Sequence, residues 1–369
     1  MECYSITSPP DSITSLPDSI GAFTALTTLV LRSCMQLTGL PDSIGGMTRL
    51  TALSLCDCSR LTRLPNSIGE LTALATLDLS QCAALVDVPE TIGGLTALTA
   101  LDFTACSALQ RLPDSIGSLA ALTTLVLSEC GSLEALPDGI AQLTALTALD
   151  LAQCSSLQSL PASVGALQQL ETLGLASMNA RGLLSSFRCF ATLTALCLHG
   201  SDSARFSAEC IGALTALRSL NLGCSQLTKL PEGVCTLASL TDLSLWGCNQ
   251  LTCLPDAICE LRALTALNLS SCGALARLPD SIGGLHALTA LKLFECDALA
   301  ALPESIGGLR ALTDLGLRRC GALTRLPDSI TRLAALQHLH LSDGSVLRGL
   351  PGVLVRVPHC IGIYAVGTA

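Results

Sequence analysis

Ten of the twenty cysteines recur at one position of the sequence, where a thiol could bind metal, form a disulfide or pack in a core. They follow one another mostly at 24-residue steps: Cys34, Cys58, Cys82, Cys106, Cys130, Cys154, Cys248, Cys272, Cys296 and Cys320. Thiolate metal sites need clustered cysteines rather than a ladder of this spacing. The pattern therefore predicts small, inward-facing side chains that act as weak hydrogen-bond donors.

Two histidines are the other side chains that could hold a metal. His338 and His340 lie two residues apart on a predicted strand, so both face one side of it. Asp314 one repeat earlier and Asp343 after the strand could complete a metal site or a pH-sensitive group. Such histidines more often make polar contacts on a binding surface, and we predict no metal and no cofactor.

Signatures of catalysis are missing from the sequence. It contains no Gly-Lys dipeptide, so a Walker-type phosphate loop cannot form, and it has no Gly-x-Ser-x-Gly elbow and no kinase motif set. The acidic residues mostly recur as Pro-Asp-Ser, which is typical of helix starts rather than of paired catalytic carboxylates. We therefore predict that the protein is not an enzyme.

The composition limits the classes of partner and the cellular compartments that fit the sequence. Half of the residues are hydrophobic, yet aromatics are only 2% and no run of about 18 uncharged apolar residues could span a bilayer. The net charge of −9 gives no general attraction to nucleic acid or to anionic lipid. Residues 1–4 lack the basic and apolar regions of a secretory signal. With twenty cysteines, this predicts reduced thiols and a cytoplasmic location.

One period organises the chain. From Leu16 to residue 349 it consists of fourteen repeats, twelve of 24 residues and two of 23, whose fullest form is Leu-Pro-Asp-Ser-Ile-Gly-Gly-Leu-x-Ala-Leu-Thr-x-Leu-x-Leu-x-x-Cys-x-x-Leu-x-x. Leu-x-Leu predicts a short strand with both leucines on one face, and Pro-Asp-Ser predicts a short helical or 3₁₀ turn. A single repeat cannot bury its leucines, so the copies must stack along a parallel sheet. We expect one domain at 16–349, between end caps at 1–15 and 350–369.

The motif Leu-x-x-Leu-x-Leu-x-x-Cys resembles the leucine-rich-repeat family in its cysteine-containing form. Its extension, Leu-Pro-x-x-Ile-Gly-x-Leu, is similar to plant-type intracellular repeats, including those of plant nucleotide-binding immune receptors and of plant intracellular Ras-group-related repeat proteins. The resemblance implies an α/β solenoid shaped as a curved horseshoe, with a parallel sheet on the concave face and short helical or 3₁₀ segments on the convex face. It also implies that partners dock on the concave face.

Three repeats, which start at Leu160, Leu183 and Ser207, depart from the pattern. Phe187 and Phe190 lie in this region, and we expect them to replace Ile and Leu in the core, with a local break in curvature as the alternative. At the C-terminal end, we expect 353–355 and 361–363 to close the core as irregular strand.

A binding surface is predicted where large and charged residues interrupt a face of small ones. The only Trp of the chain and a Phe follow the second strand leucine of their repeats, beside basic residues, and Trp and Arg dominate binding hot spots. The alternative is that Trp246 and Phe294 only shield strand edges. The predicted site consists of Asp242, Trp246, Lys292, Phe294, Glu295, Arg318, Arg319, His338 and His340, and its expected partner is an acidic segment with apolar anchors.

Three functions fit the sequence. The first is a monomeric, non-catalytic scaffold or recognition domain for a protein partner, with an immune-receptor-like role as one form. The second is a regulatory subunit that holds a signalling enzyme, such as a small GTPase or a ubiquitin ligase component. The third, and the least favoured, is ice or carbohydrate binding through a row of threonines: Thr27, Thr51, Thr99, Thr123 and Thr147.

Overall fold

The computed structural model describes residues 5–6, 13–177, 190–201, 211–224, 226–342 and 362–366. The chain divides into two compact units, Met1–Leu193 and Thr194–Ala369, hereafter unit 1 and unit 2. Among the described residues, no helical segment has the length and hydrophobicity that crossing a membrane requires.

Unit 1 is built on parallel strands that pair in chain order. Its strands are β1 (Ser5–Ile6), β2 (Thr28–Val30), β3 (Ala52–Ser54), β4 (Thr76–Asp78), β5 (Ala100–Asp102), β6 (Thr124–Val126), β7 (Ala148–Asp150) and β8 (Thr172–Gly174). Each leucine lies opposite the leucine of the next repeat, as Leu29 does opposite Leu53. The 3₁₀ segments that the structure describes in unit 1 are Asp18–Ala22, Asp42–Gly46, Asn66–Glu70, Glu90–Gly94, Asp114–Ser118, Asp138–Gln142 and Ala162–Ala166.

Unit 2 repeats this arrangement. Its strands are β9 (Ala195–Cys197), β10 (Ser219–Asn221), β11 (Asp242–Ser244), β12 (Ala266–Asn268), β13 (Ala290–Lys292), β14 (Asp314–Leu317), β15 (His338–Ser342) and β16 (Gly362–Val366). They also pair in parallel and in chain order. The described 3₁₀ segments are Glu232–Thr236, Asp256–Glu260, Asp280–Gly284, Glu304–Gly308 and Asp328–Arg332.

The repeat motif explains both kinds of element. In β13, Leu291 and the following Leu293 are fully buried, whereas Lys292 between them is exposed, as period-two alternation requires. Each described 3₁₀ segment begins after a proline, which is in extended conformation everywhere except at Pro231. Pro41, for example, has φ −73° and ψ 154°, and its carbonyl accepts a bond of 3.0 Å from the N–H of Ile44. The fold is therefore the predicted leucine-rich-repeat solenoid.

The Ile-Gly-Gly sequence lets successive 3₁₀ segments pack closely. A Cβ atom on Gly283 would lie 2.2 Å from the carbonyl oxygen of Ser305 in the next repeat, which is closer than atoms can approach. The expected contribution of Phe190 to the core is confirmed, since this residue is 1% exposed. Phe187 lies outside the described residues.

The C-terminal end shows an ordered pairing. Strand β16 pairs in parallel with β15, with Leu339 opposite Ile363. The expected closing strand is therefore present at Gly362 and Ile363, and it continues to Val366. Residue 361 and the other expected segment, 353–355, lie outside the described residues.

Candidate binding surface

The cysteine ladder is part of the core. Eight ladder thiols donate a hydrogen bond of 3.0 to 3.2 Å to a carbonyl 27 residues earlier, as Cys58 does to Leu31 and Cys154 to Leu127. Burial, reinforced by the neighbouring thiol of Cys34, raises the pKa of Cys58 from an ordinary 9.0 to about 12. Thiolate is the nucleophilic and metal-binding form, so the shift keeps this cysteine inert.

The threonine row is also engaged with the backbone. The hydroxyls of Thr51, Thr99, Thr123 and Thr147 each donate to the carbonyl of the corresponding residue 24 positions earlier, at 2.9 to 3.1 Å. Each bond uses the only hydrogen that the hydroxyl can donate. This role links neighbouring repeats, and it disfavours the ice- or carbohydrate-binding alternative.

The strand face of each unit is the side of its sheet that carries the side chains between and after the buried leucines. In unit 1, the carboxylates on this face are turned to their own backbone. Asp78, Asp102 and Asp150 each accept a bond from the N–H two residues later, at 3.1, 2.7 and 3.0 Å. These acids close turns, which accounts for their presence without a ligand.

Trp246 is the largest exposed side chain on the strand face of unit 2. It follows β11 and Leu245, and it is 48% exposed. The ring of His199 lies beside it, with centroids 5.1 Å apart and planes inclined by 36°. Gly223 lies between the two in sequence, and a Cβ there would come within 2.5 Å of His199 Nδ1 and 2.4 Å of the Trp246 carbonyl oxygen. The absence of a side chain at Gly223 therefore lets these rings approach.

His199 is a member of this surface that the sequence alone did not identify. Its position in the repeat could have identified it, because His199 follows the second leucine of its repeat, Leu198, as Trp246 follows Leu245.

Phe294 lies two strands from Trp246 and is partly buried. A Cβ on Gly316 would lie 2.5 Å from its Cε1 and Cζ atoms, so the ring covers this glycine. The imidazole of His340 meets Phe294 edge-on, with centroids 6.1 Å apart and planes at 76°. Phe294 is thus partly exposed and is held in place by its contacts with Gly316 and His340.

Some charged residues of the predicted site form ion pairs within the protein, whereas others do not. Arg319 forms an ion pair of 2.7 Å with Glu295, which also accepts a bond of 2.9 Å from the Ser271 hydroxyl. The Ser271 bond and Arg319 lower the pKa of Glu295. Among the described residues, Lys292 has no ion-pair partner and Arg318 Nε has no hydrogen-bond partner. Lys292 is exposed and is therefore the cation that a partner can engage directly, whereas Arg318 is only partly exposed and its Nε is buried.

The two histidines lie together, as expected from their spacing. Their rings stack with centroids 6.3 Å apart, and His340 Nε2 lies 3.3 Å from Asp314 Oδ2. In the part of the chain that the structure describes, no group of three or more potential ligands could hold a metal ion. Asp343 lies outside that part.

Asp242 borders a shallow groove of about 240 Å³ on strands β10–β13. The hydroxyl of the neighbouring Thr241 donates to its Oδ2 at 2.7 Å. Lys292 lines the same groove, two strands away. The structure therefore places all nine predicted residues on β11–β15 or just after these strands, on a surface that combines ring contacts, the Glu295–Arg319 ion pair and a groove with opposite charges.

This fold and its strand faces define a class of protein, the leucine-rich-repeat solenoid. Residues 175–301 match the family described as leucine-rich repeat region. Among solved structures, the chain is similar to a leucine-rich-repeat protein of Leptospira interrogans. The two share 28% identity over 95% of this chain and 93% of that one, with a TM-score of 0.67.

Two more distant structures share the fold. An internalin of Listeria monocytogenes has 16% identity over 96% of this chain and 90% of that one, with a TM-score of 0.61. The plant peptide hormone receptor RGFR1, in complex with RGF2, has 22% identity over 99% of this chain and 68% of that one, with a TM-score of 0.52. No curated protein sequence matches the chain.

Proposed function

We propose that the protein is a non-catalytic scaffold that binds a protein partner on the strand face of unit 2. The observation that carries the proposal is the exposed indole of Trp246, held beside His199 in a row whose next member, Ser270, is small and buried. A large, oriented aromatic side chain on a face of small residues has the character of an interface hot spot.

The charges favour an acidic partner segment with apolar anchors. Two acids of this surface, Glu295 and Asp314, already have basic neighbours in Arg319 and His340. Lys292 is exposed and left to meet a partner's carboxylate, with the partly exposed Arg318 one strand further on, while Trp246 and Phe294 offer apolar contacts. A buried contact between complementary groups gives specificity as well as affinity.

Among the structural neighbours, the plant receptor RGFR1 holds the peptide RGF2, which is consistent with a binding role for this fold. In specific form, we propose recognition in a monomeric, plant-type, immune-receptor-like protein. A regulatory subunit for a small GTPase or a ubiquitin ligase component would use the same surface. We also propose a cytoplasmic location, which the many cysteines of the sequence favour.

The test is capture of the partner from an extract of cells that make the protein. The purified protein and a Trp246→Ala/Arg318→Glu variant are immobilised in parallel, and bound proteins are identified by mass spectrometry. We expect a protein that the first retains and the variant loses.

A matched control changes the same residue types elsewhere. Phe23 is 54% exposed, and Arg310 is exposed beside the 3₁₀ segments, so Phe23→Ala/Arg310→Glu removes one aromatic and reverses one charge away from the strand face of unit 2. Equal capture by all three proteins would rule out this surface.

A further inference from the structure

The groove on β10–β13 has a floor that a peptide backbone could approach closely. Its lining includes Ser219, Ser244, Ala266 and Ala290, all with short side chains. Four strands at about 4.8 Å separation give a path of roughly 14 Å across the sheet. This path is long enough for about four residues of extended chain at about 3.3 Å each.

Two strands of the groove carry opposite charges, Asp242 on β11 and Lys292 on β13. The register places Asp242 opposite Ala290, so Lys292 lies two strand steps across and two residues further along, at a backbone separation of roughly 12 Å. Both side chains are exposed. At this separation they do not pair with each other, so each can accept a partner of opposite charge.

Two carboxamides of the groove provide hydrogen-bond donors, Asn268 on β12 between the two charges and Asn221 on β10 on the far side of Asp242. Asn221 Oδ1 accepts a bond from the N–H of Gly223, and Asn268 Oδ1 accepts one from the N–H of Ser270, at 3.1 and 3.0 Å. These bonds fix which end of each side chain faces its own backbone. The Nδ2 groups are left as donors, and both residues line the groove.

We infer that the groove takes an extended peptide segment of dipolar charge, which crosses the strands with a basic side chain at Asp242 and an acidic one at Lys292. The roughly 12 Å between the two charges sets the basic and acidic residues about four positions apart, a spacing at which both side chains of an extended chain point to the same side. A peptide carbonyl between them accepts a bond from Asn268, and a carbonyl beyond the basic residue accepts one from Asn221. This inference rests on the proposed function, and it adds a basic residue to the acidic segment.

Opposite charges distinguish this ligand from other classes. A nucleic acid strand would meet Lys292 but would be repelled by Asp242, and a neutral sugar would use neither charge. A purely acidic peptide would gain from Lys292 alone. Only a segment that carries both a positive and a negative charge can pair with both Asp242 and Lys292.

The test is selection of a displayed random heptapeptide library on the wild-type protein, followed by fluorescence anisotropy of the enriched peptides. We expect enriched sequences with Lys or Arg about four positions from Asp or Glu. Replacing the basic residue by Ala should weaken binding to wild type about three- to fivefold, as for an exposed ion pair. The same replacement should have no effect on the Asp242→Asn variant, and replacing the acidic residue should have none on Lys292→Met.

Three results would overturn the inference. One is no enriched peptide, and another is enriched peptides whose affinity for Asp242→Asn or Lys292→Met equals that for wild type. The third is a set of enriched peptides that carry only acidic charges and whose binding depends on Trp246. This result would refute binding of a dipolar peptide in the groove but would leave the proposed function unchanged. Capture of a protein partner that the Trp246→Ala/Arg318→Glu variant loses decides the proposed function separately. Since the side chains of Asp242 and Lys292 are both exposed, circular dichroism should show an intact fold in Asp242→Asn and in Lys292→Met.

Discussion

The imidazole of His199 lies 5.1 Å from the indole of Trp246, centroid to centroid, although 47 positions separate the two residues in the chain. The 47 positions correspond to two repeats, and both residues occupy the same repeat position. Residues at the same repeat position form a row across neighbouring strands, so the two rings lie close together. The intervening member of the row is Gly223, which adds no side chain between the rings. The histidine thus limits the orientations that the exposed indole can adopt.

Replacing His199 by Ala should weaken partner binding without removing it. The substitution leaves Trp246 in place but frees its ring, and an aromatic pair contributes about 0.5–1.5 kcal/mol. We expect the dissociation constant of the captured partner to rise about two- to tenfold, less than for Trp246→Ala. Isothermal titration calorimetry of wild type, both variants and Phe23→Ala checks the order; a Phe23→Ala effect as large as that of His199→Ala would remove the assignment.

The stability of the fold should decrease at alkaline pH because of the ladder thiols. Burial raises the pKa of Cys58 to about 12, whereas in the unfolded chain it is near 9.0. Below pH 9 the thiol is protonated in both states and its contribution does not vary. Between pH 9 and about 12 only the unfolded chain ionises, so each pH unit lowers the free energy of unfolding by about 1.4 kcal/mol for this thiol.

The measurement is urea unfolding under reducing conditions at pH 8, 9 and 10. The Cys58→Ser variant keeps a donor to the carbonyl of Leu31 but has no thiol to ionise, so its stability should fall less between pH 9 and 10 than that of wild type. Ser132→Ala, which removes a half-exposed hydroxyl and no titrating group, should follow wild type. Identical slopes for all three proteins would contradict the assignment.

Close packing of the 3₁₀ segments makes one glycine much more sensitive than another. Gly283→Ala would place a Cβ 2.2 Å from the Ser305 carbonyl oxygen, and backbone must move to relieve the clash. We expect a loss of about 1–3 kcal/mol, as for other overpacked positions. Gly273→Ala has no atom within 4 Å of its Cβ and should change stability by less than about 0.5 kcal/mol. Urea midpoints of the two variants give the comparison.

The fold was predictable because one pattern repeats. Leu291 and Leu293 alternate with exposed residues, and the same alternation recurs every 24 residues, so the register of neighbouring strands follows from the period. The exposed Trp246 was predictable from its rarity in this composition. The pairing of His199 with it was not, because repeats of altered length and motif separate the two residues.

The sequence also could not predict which charged residues pair with one another. Glu295 and Arg319 were expected to face a partner, and their positions in the repeat are as predicted. Both have left-handed backbone, with φ of 60° and 57°, and at successive repeats this brings their side chains within 2.7 Å of each other. An ion pair of this kind depends on backbone conformation, which the residue types alone do not specify.

Substitution of the carboxylates on the strand face of unit 1 tests whether these residues stabilise the fold or bind a partner. Asp102 Oδ1 accepts bonds of 2.7 and 2.6 Å from the N–H and hydroxyl of Thr104, and its strand neighbour is another acid, Asp78. Asp102→Ala removes the acceptor and should cost about 1–2 kcal/mol of stability. Asp102→Asn keeps an acceptor oxygen and removes repulsion by Asp78, so its stability should equal or slightly exceed that of wild type. Urea unfolding measures both variants, and partner affinity should be unchanged in each, because Asp102 acts on its own turn; a loss of affinity common to both variants would instead place the partner on unit 1.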